Sequence, residues 1–511
     1  MLKIVDFLRC LLGELMEYRS ILGERGSMVG NDVAKDLRIL ELVDDILGRN
    51  RDEFLRELYL EPLSREEAAV FRLMVFQDLM INDVYRMVEG FVERIRESER
   101  LIQLKEEAYD QHKVGLHLDA ALTYIDAVES FYNGLRAIGP RSEGLKQFLN
   151  YLEQVINSPY FRSMKERAHE AKEARDRIII KVRFVEDGVK VSKYNGDGED
   201  LTALVERTFS IFKDGNGEEV KWIKSTGDMT HIHAAILEGA FRFYREEYEI
   251  LRRFMEDFPT VIDEGVRSFA REVEFYLTYL RYMRRIMERG YTFSIPSFTR
   301  DGSMHVKGFY NLLLVKAGKA VVSNDIDTDG TRRIFVITGM NSGGKTTFAI
   351  SLGQLAYLST LGLPVPAVEA RLPFFTSIMT AFPTEEDPRE SLSRLEHDVV
   401  RALNIIKRAN DTTLVIANEL FSTTTSDEGF QLSKLFLSEL NNKRSYCLFI
   451  TFIPKVASLK FTISLVAMPS PEDPEKPSYR IIPGPPPKEY MAVRIAAKHQ
   501  LLYDDLRRVV K

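Results

Sequence analysis

Lys345 and Thr346 directly follow two glycines, in a stretch that runs Gly339-Met340-Asn341-Ser342-Gly343-Gly344-Lys345-Thr346-Thr347. The pattern G-x-x-x-x-G-K-T suits the holding of a chain of phosphates. Its glycines let the backbone curl so that successive N–H groups converge on an anionic oxygen, and a following helix adds the positive end of its dipole. Lys345 then supplies a charge for the β- and γ-phosphates, and the Thr346 hydroxyl is placed to ligate Mg²⁺. A bare turn between strand and helix would have no use for Lys-Thr right after the last glycine. The expected ligand is a nucleoside triphosphate.

Such a loop needs a partner carboxylate at the end of a nearby strand to hold the metal, and often a second one to activate water. The candidate is "TTLVIANELFSTTTSDEG", where an apolar run ends in Asn418-Glu419. Glu419 is placed as general base or water-positioner. Asn418 stands where an aspartate is expected, which exchanges a charged acceptor for a neutral amide that also donates hydrogen bonds.

The elements that must position these residues can be read from periodicity. "IFVIT" before the loop is strand-like, and "TFAISLGQLAYLST" after it is helix-like. Beyond about residue 292, "RIFVIT", "TTLVIAN" and "YCLFITFI" are short apolar runs separated by helical stretches, as a buried and largely parallel sheet demands. From residue 1 to about 175 the pattern is helical, with apolar residues every three or four positions. The opening "MLKIVDFLRCLLGELMEYRS" is an amphipathic helix rather than a signal peptide, because Asp6, Arg9 and Glu14 interrupt its apolar run. In "KVRFVEDGVKVSKY" the alternation around Asp187-Gly188 is a hairpin signal, and "FSIFKDGNGEEVKWI" suggests a second strand pair. Long helices return from about residue 228 to 290. A proline-rich run and one or two helices close the chain.

The fold class expected is therefore multidomain. An all-α core and lever region with a small β-rich insertion precedes an α/β phosphate-loop domain. The boundaries expected are 1–176 for the helical core, 177–224 for the β-rich insertion, 225–291 for lever helices and 292–511 for the nucleotide domain. No apolar run is long enough to span a bilayer, and two distant cysteines give neither a disulfide framework nor a metal quartet. A cytoplasmic protein is expected. The net charge of −6 argues against a uniformly basic nucleic-acid coat but leaves room for a local basic face or channel.

These residues resemble the ATPase domain of the MutS family of DNA mismatch-repair proteins. The family's G-P-N-M-G-G-K-S-T appears here as "GMNSGGKTT", keeping Asn341 inside the loop. Its D-E-x-G-R-G-T-S-T-x-D-G appears as "NELFSTTTSDEG", retaining Glu419, Thr424 and Gly429. Its signature S-x-F-x-x-E is echoed by Ser391 and Glu396 in "ESLSRLE", and "VSNDID" and "YRIIPGPPPKEYMAVRIAAKH" resemble family segments before the loop and after the last strand. The resemblance covers residues 292 to about 505.

It implies that the nucleotide domain is an ATPase domain of the ABC type and that the insertion is clamp-like. It also implies a homodimer binding ATP and Mg²⁺, with Gly339, Asn341, Ser342, Gly343, Gly344, Lys345, Thr346 and Thr347 around the nucleotide. Thr346 and Asn418 would serve the metal, and Lys345 and Glu419 the chemistry. Ser391 would reach the γ-phosphate of the partner's nucleotide, and the lever helices would pass the change to a clamp on DNA, mismatched or branched. The departures imply slow hydrolysis: Asn418 replaces the family's aspartate, Phe452 its histidine near the γ-phosphate, and Phe421 and Ser422 its glycine and arginine. A nucleotide-gated clamp or scaffold with little turnover, acting with partner proteins or ribosomes, is the alternative. Neither Phe91 nor Phe184, each in an "FVE" tripeptide, is expected to be a mismatch-reading wedge. The first lies in a helical pattern and the second in a hairpin.

Overall fold

The structure, a computed structural model, describes residues 18–49, 52–185, 188–196, 231–340, 342–383, 394–473 and 476–486. Most of the expected opening helix, the second strand pair and the C-terminal helices lie outside these residues. The described residues form two compact units. One combines 18–20, 81–141 and 145–272, and the other combines 21–80, 142–144 and 273–486.

The first helices among the described residues belong to the second unit: α1 (Asn31–Asp36), α2 (Ile39–Leu47), α3 (Glu53–Leu60) and α4 (Glu66–Leu79). The Asp52 carboxylate caps α3 by accepting the Phe54 N–H at 2.9 Å.

The helical unit comes next, with α5 (Asn82–Glu107), α6 (Asp110–Ile138), α7 (Glu143–Asn157) and α8 (Pro159–Asp176). Then come the hairpin β1 (Ile180–Val185) and β2 (Gly188–Lys193), and α9 (His231–Phe243), α10 (Arg245–Asp257) and α11 (Glu264–Glu272). Val84, Val88, Phe91, Val92 and Ile95 recur at helical spacing on α5, and all are buried. Phe91 stacks on Phe131 at 4.3 Å between ring centroids, and Phe148 lies on Phe269 at 3.5 Å. Phe91 is thus core rather than a wedge. β1 and β2 pair antiparallel, with Val182 opposite Val191 and Val185 opposite Gly188.

The second unit resumes with α12 (Glu274–Met287), β3 (Ser297–Phe298), β4 (Met304–Phe309), α13 (Leu312–Lys316), β5 (Asn324–Thr328), β6 (Ile334–Gly339) and α14 (Lys345–Thr360). It continues with β7 (Glu369–Leu372), β8 (Ser377–Ala381), α15 (Arg394–Arg408), β9 (Thr413–Asn418), α16 (Ser426–Asn442), β10 (Tyr446–Ile450), β11 (Thr462–Pro469) and β12 (Pro477–Pro483). Six strands make one sheet in the order β12-β11-β6-β10-β9-β8, parallel throughout except for the edge strand β12. A four-stranded sheet, β3-β7-β4-β5, is mixed.

Residues 21–80 pack in this unit because buried polar groups tie them there. The Arg72 guanidinium is buried and donates to Leu22 O, Leu361 O and Glu24 O at 3.0, 3.1 and 2.8 Å. Tyr357 donates to Tyr59 O at 2.8 Å and the Gln354 amide to Leu37 O at 2.9 Å. Both donors lie on α14, a helix enclosed by the unit on nearly every side. Gly353 permits this: a Cβ there would stand 2.6 Å from Leu37 and 2.9 Å from Ile416.

Candidate nucleotide-binding site

Three neighbouring parallel strands end together. Ile450 at the end of β10 is level with Ile337 on β6 and with Asn418 at the end of β9. The segments that leave these strand ends therefore converge: the glycine loop after β6, Glu419 after β9 and Phe452 after β10. Ligands of open α/β sheets bind at the carboxyl ends of strands.

The loop from Gly339 to Lys345 takes the backbone that its glycines allow. Gly339 lies at φ 112° and Gly344 at φ 87°, and a Cβ on Gly339 would meet Ala467 O at 2.7 Å. Ser342 is itself left-handed, at φ 61°. Gly343 is buried and its N–H donates to Met340 O at 3.2 Å. Lys345 opens α14, and its buried ammonium donates to Gly339 O at 3.1 Å and Met340 O at 2.9 Å. It also faces the Phe452 ring, 4.9 Å from the centroid. Thr346 is exposed on the first turn, and Thr347 is half-buried beside it. Asn341 and Ser391 lie outside the described residues.

Asn418 is buried, and its Oδ1 has no hydrogen-bond partner among the described residues. Glu419 takes φ 57°, and its N–H donates to Ile450 O at 2.9 Å. Burial raises the Glu419 carboxyl above the ordinary carboxylate range, with the charges of Lys345 and Arg394 opposing. Burial likewise lowers the Lys345 ammonium, with the Glu419 charge opposing. Each charge thus sustains the other in a partly desolvated place.

Beside the start of α14 is a cavity of about 250 Å³, bounded by Phe309, Tyr310, Val322, Gly344, Thr347 and Tyr479 among others. The Asn324 side chain braces one wall by donating to Tyr479 O at 3.1 Å and accepting the Ile481 N–H at 2.7 Å. Sequence reasoning passed over Phe309, Tyr310 and Tyr479, because an apolar wall carries no motif. It also passed over Asp398 on α15, whose Oδ2 accepts the Phe421 N–H at 3.1 Å. Nothing in the sequence ties a carboxylate in one helix to a turn amide after the next strand.

The described residues contain no helix long and apolar enough to cross a membrane. Among known families, MutS domain V matches residues 335–472. The chain is similar to the DNA mismatch repair protein MutS of Listeria innocua, 27% identical over 46% of this chain and 27% of that protein. It is also similar to the Endonuclease MutS2 of Bacillus velezensis, 27% identical over 47% of this chain and 31% of that protein. The DNA mismatch repair protein MutS of Streptococcus gordonii is 24% identical over 55% of this chain and 34% of its own length. The alignments therefore span about a third of these relatives or less.

Proposed function

Because the chain belongs to the MutS family, we propose that it binds ATP with Mg²⁺ at the Gly339–Thr347 loop and, as a homodimer, couples binding and hydrolysis to the holding of DNA in repair or recombination. The observation that carries this reading is the meeting of Lys345, Asn418 and Glu419 at the level ends of β6, β9 and β10. The loop N–H groups and the start of α14 receive the phosphates. Lys345 exchanges its two loop carbonyls for phosphate oxygens. The cavity walled by Phe309, Tyr310 and Tyr479 is apolar enough to take the base. Glu419, with its carboxyl raised, is suited to hold and deprotonate a water.

The residues present fit a magnesium ion, since the Thr346 hydroxyl and Asn418 Oδ1 are hard oxygen donors and the latter is a buried acceptor with no partner among the described residues. When bound, Mg²⁺ neutralises charge developing between the β- and γ-phosphates. In this reading residues 177–224 are a clamp-like insertion, 225–291 act as levers, and Ser391 of one subunit meets the nucleotide of the other.

The test is steady-state ATPase activity with and without branched DNA, beside equilibrium ATP binding, for the native chain, Lys345→Ala and Glu419→Ala. Lys345→Ala should weaken ATP binding at least tenfold. Glu419→Ala should bind ATP yet lose turnover. DNA binding should fall steeply with salt, because neutralising phosphates releases counterions. Binding that ignores salt, or ATP binding that ignores Lys345, sinks the proposal. The second reading, a nucleotide-gated clamp that scarcely hydrolyses ATP, is favoured by the Phe452 ring over Lys345 and by the neutral Asn418. It is the outcome if ATP binds through Lys345 without turnover.

A further inference from the structure

β9 ends at Asn418, and the residues after it make a turn that most backbone avoids. Glu419 at φ 57° and Phe421 at φ 63° both sit in the left-handed region, and neither is glycine. Such a turn persists only where its surroundings impose it. Here two hydrogen bonds do so. The Glu419 N–H donates to Ile450 O at 2.9 Å, tying the turn to the sheet. The Phe421 N–H donates to Asp398 Oδ2 at 3.1 Å, tying it to α15. The Phe421 ring is buried and meets Phe436 edge-on, 6.2 Å between centroids. The backbone carrying the Glu419 carboxylate is thereby held by β10 on one side and by a single carboxylate on the other.

α15 is itself anchored. Arg401, on the turn after Asp398, donates to Asp36 Oδ2 at 2.8 Å and to Phe382 O at 2.7 Å. Burial raises the carboxyls of both Asp398 and Glu419, and the positive charge of Arg394, on the turn before Asp398, opposes that shift in each. The Phe421 N–H in turn opposes the effect of burial on Asp398, since a donated hydrogen bond favours the carboxylate form.

We propose that Asp398 is a positioning residue for Glu419: by accepting the Phe421 N–H it holds the left-handed turn that aims the Glu419 carboxylate at water beside the γ-phosphate. This rests on the reading of Glu419 as the carboxylate that acts on water. Asp398 itself touches neither nucleotide nor metal. Its effect falls on the rate of the chemical step and not on the capture of ATP.

The experiment compares Asp398→Ala, which removes the acceptor, with Asp398→Asn, which keeps an acceptor oxygen, and with Glu419→Gln as reference. In each variant kcat is measured with saturating ATP and Mg²⁺, and the Kd for ATP is measured separately. Asp398→Ala should lower kcat about 10- to 100-fold, as misplacement of a catalytic group by about 1 Å does. Its Kd should stay within about twofold of native, since the phosphate loop is untouched. Asp398→Asn should keep most of the native kcat. If the alanine variant does not fold, Asp398→Ser, whose side chain is too short to reach the amide, carries the same expectation. Native kcat in the alanine variant, equal losses in alanine and asparagine, or a parallel loss of ATP affinity would each overturn the proposal. Turnover that requires Glu419 but ignores Asp398→Ala removes this proposal alone. Turnover that ignores Glu419→Gln removes the role of Glu419, and this proposal with it.

Discussion

The core of the helical unit and the strand ends of the second unit follow opposite rules. Phe91, Phe131, Phe148 and Phe269, one from each of four helices, stack in the interior, and the hydroxyls of Tyr18 and Tyr151 beside Phe148 are satisfied by Glu272 and Asp263. Among the described residues, every non-glycine residue with positive φ belongs to the second unit, and three of them, Ser342, Glu419 and Phe421, lie in the glycine loop after β6 or in the turn after Asn418. Among the described residues, the Thr338 hydroxyl and Asn418 Oδ1 are buried there without partners, as His117 Nδ1 is in the helical unit. Left-handed backbone costs an L-residue roughly 1–2 kcal/mol, and an unpaired buried polar atom roughly 1–3 kcal/mol. The helical unit is built for stability. At the strand ends stability is given up in order to leave groups ready for a ligand.

That contrast breaks most visibly if a stacked ring is removed. Phe148→Ala should cost about 3–5 kcal/mol in the transition that unfolds the helical unit, because the Phe269 face is left against a void. ATP affinity of the folded protein should be unchanged, since the site is drawn from other elements. A loss below about 1 kcal/mol by denaturant titration would show that the stack is not the centre of that core.

A smaller effect of opposite kind is expected at Asn418. Asn418→Asp places a second carboxylate next to Glu419 in a buried position, so without metal the variant should be less stable by about 1–3 kcal/mol. With Mg²⁺ and ATP the charge has a partner. The Mg²⁺ concentration for half-maximal ATP binding should fall about tenfold, equivalent to about 1.4 kcal/mol. Thermal unfolding with and without Mg²⁺·ATP measures both, and an aspartate variant destabilised equally under both conditions would deny Asn418 any place near the metal.

The same contrast explains what could be read beforehand. Runs such as "IFVIT" and "YCLFITFI" are apolar at most positions because both faces of their strands are covered, and β6, β9 and β10 stand where such runs lie. The loop and Asn418-Glu419 were legible for a different reason: their chemistry needs fixed residue types at fixed spacing. What escaped depends on distance through space. The placement of residues 21–80 against α14 rests on Arg72, Gln354 and Tyr357, none of which belongs to a motif. The four-stranded sheet escaped because β4, β5 and β7 are short and mixed in polarity, with registers set by pairing across long gaps in sequence. Asp398 escaped as one charged residue among six on an amphipathic helix.

The finest test of the contrast is Glu419→Gln, which should make the protein slightly more stable while stopping turnover. Burial raises the Glu419 carboxyl in the folded state above its value in the unfolded chain, despite the opposing charges of Lys345 and Arg394. A raised carboxyl contributes its stability fully below the unfolded value, and loses it as pH rises through the folded one. Near pH 8 the native glutamate therefore carries a penalty that glutamine does not. Part of the gain is offset, because Lys345 loses the charge that opposes its own desolvation. The expected rise in unfolding midpoint is about 1–2 °C at pH 8, shrinking towards zero near pH 4, where the native side chain is largely protonated in both states. A glutamine variant less stable than native at pH 8 would mean that Lys345 gains more from Glu419 than Glu419 loses by burial. The strand ends would then be held together by their charges instead of strained by them.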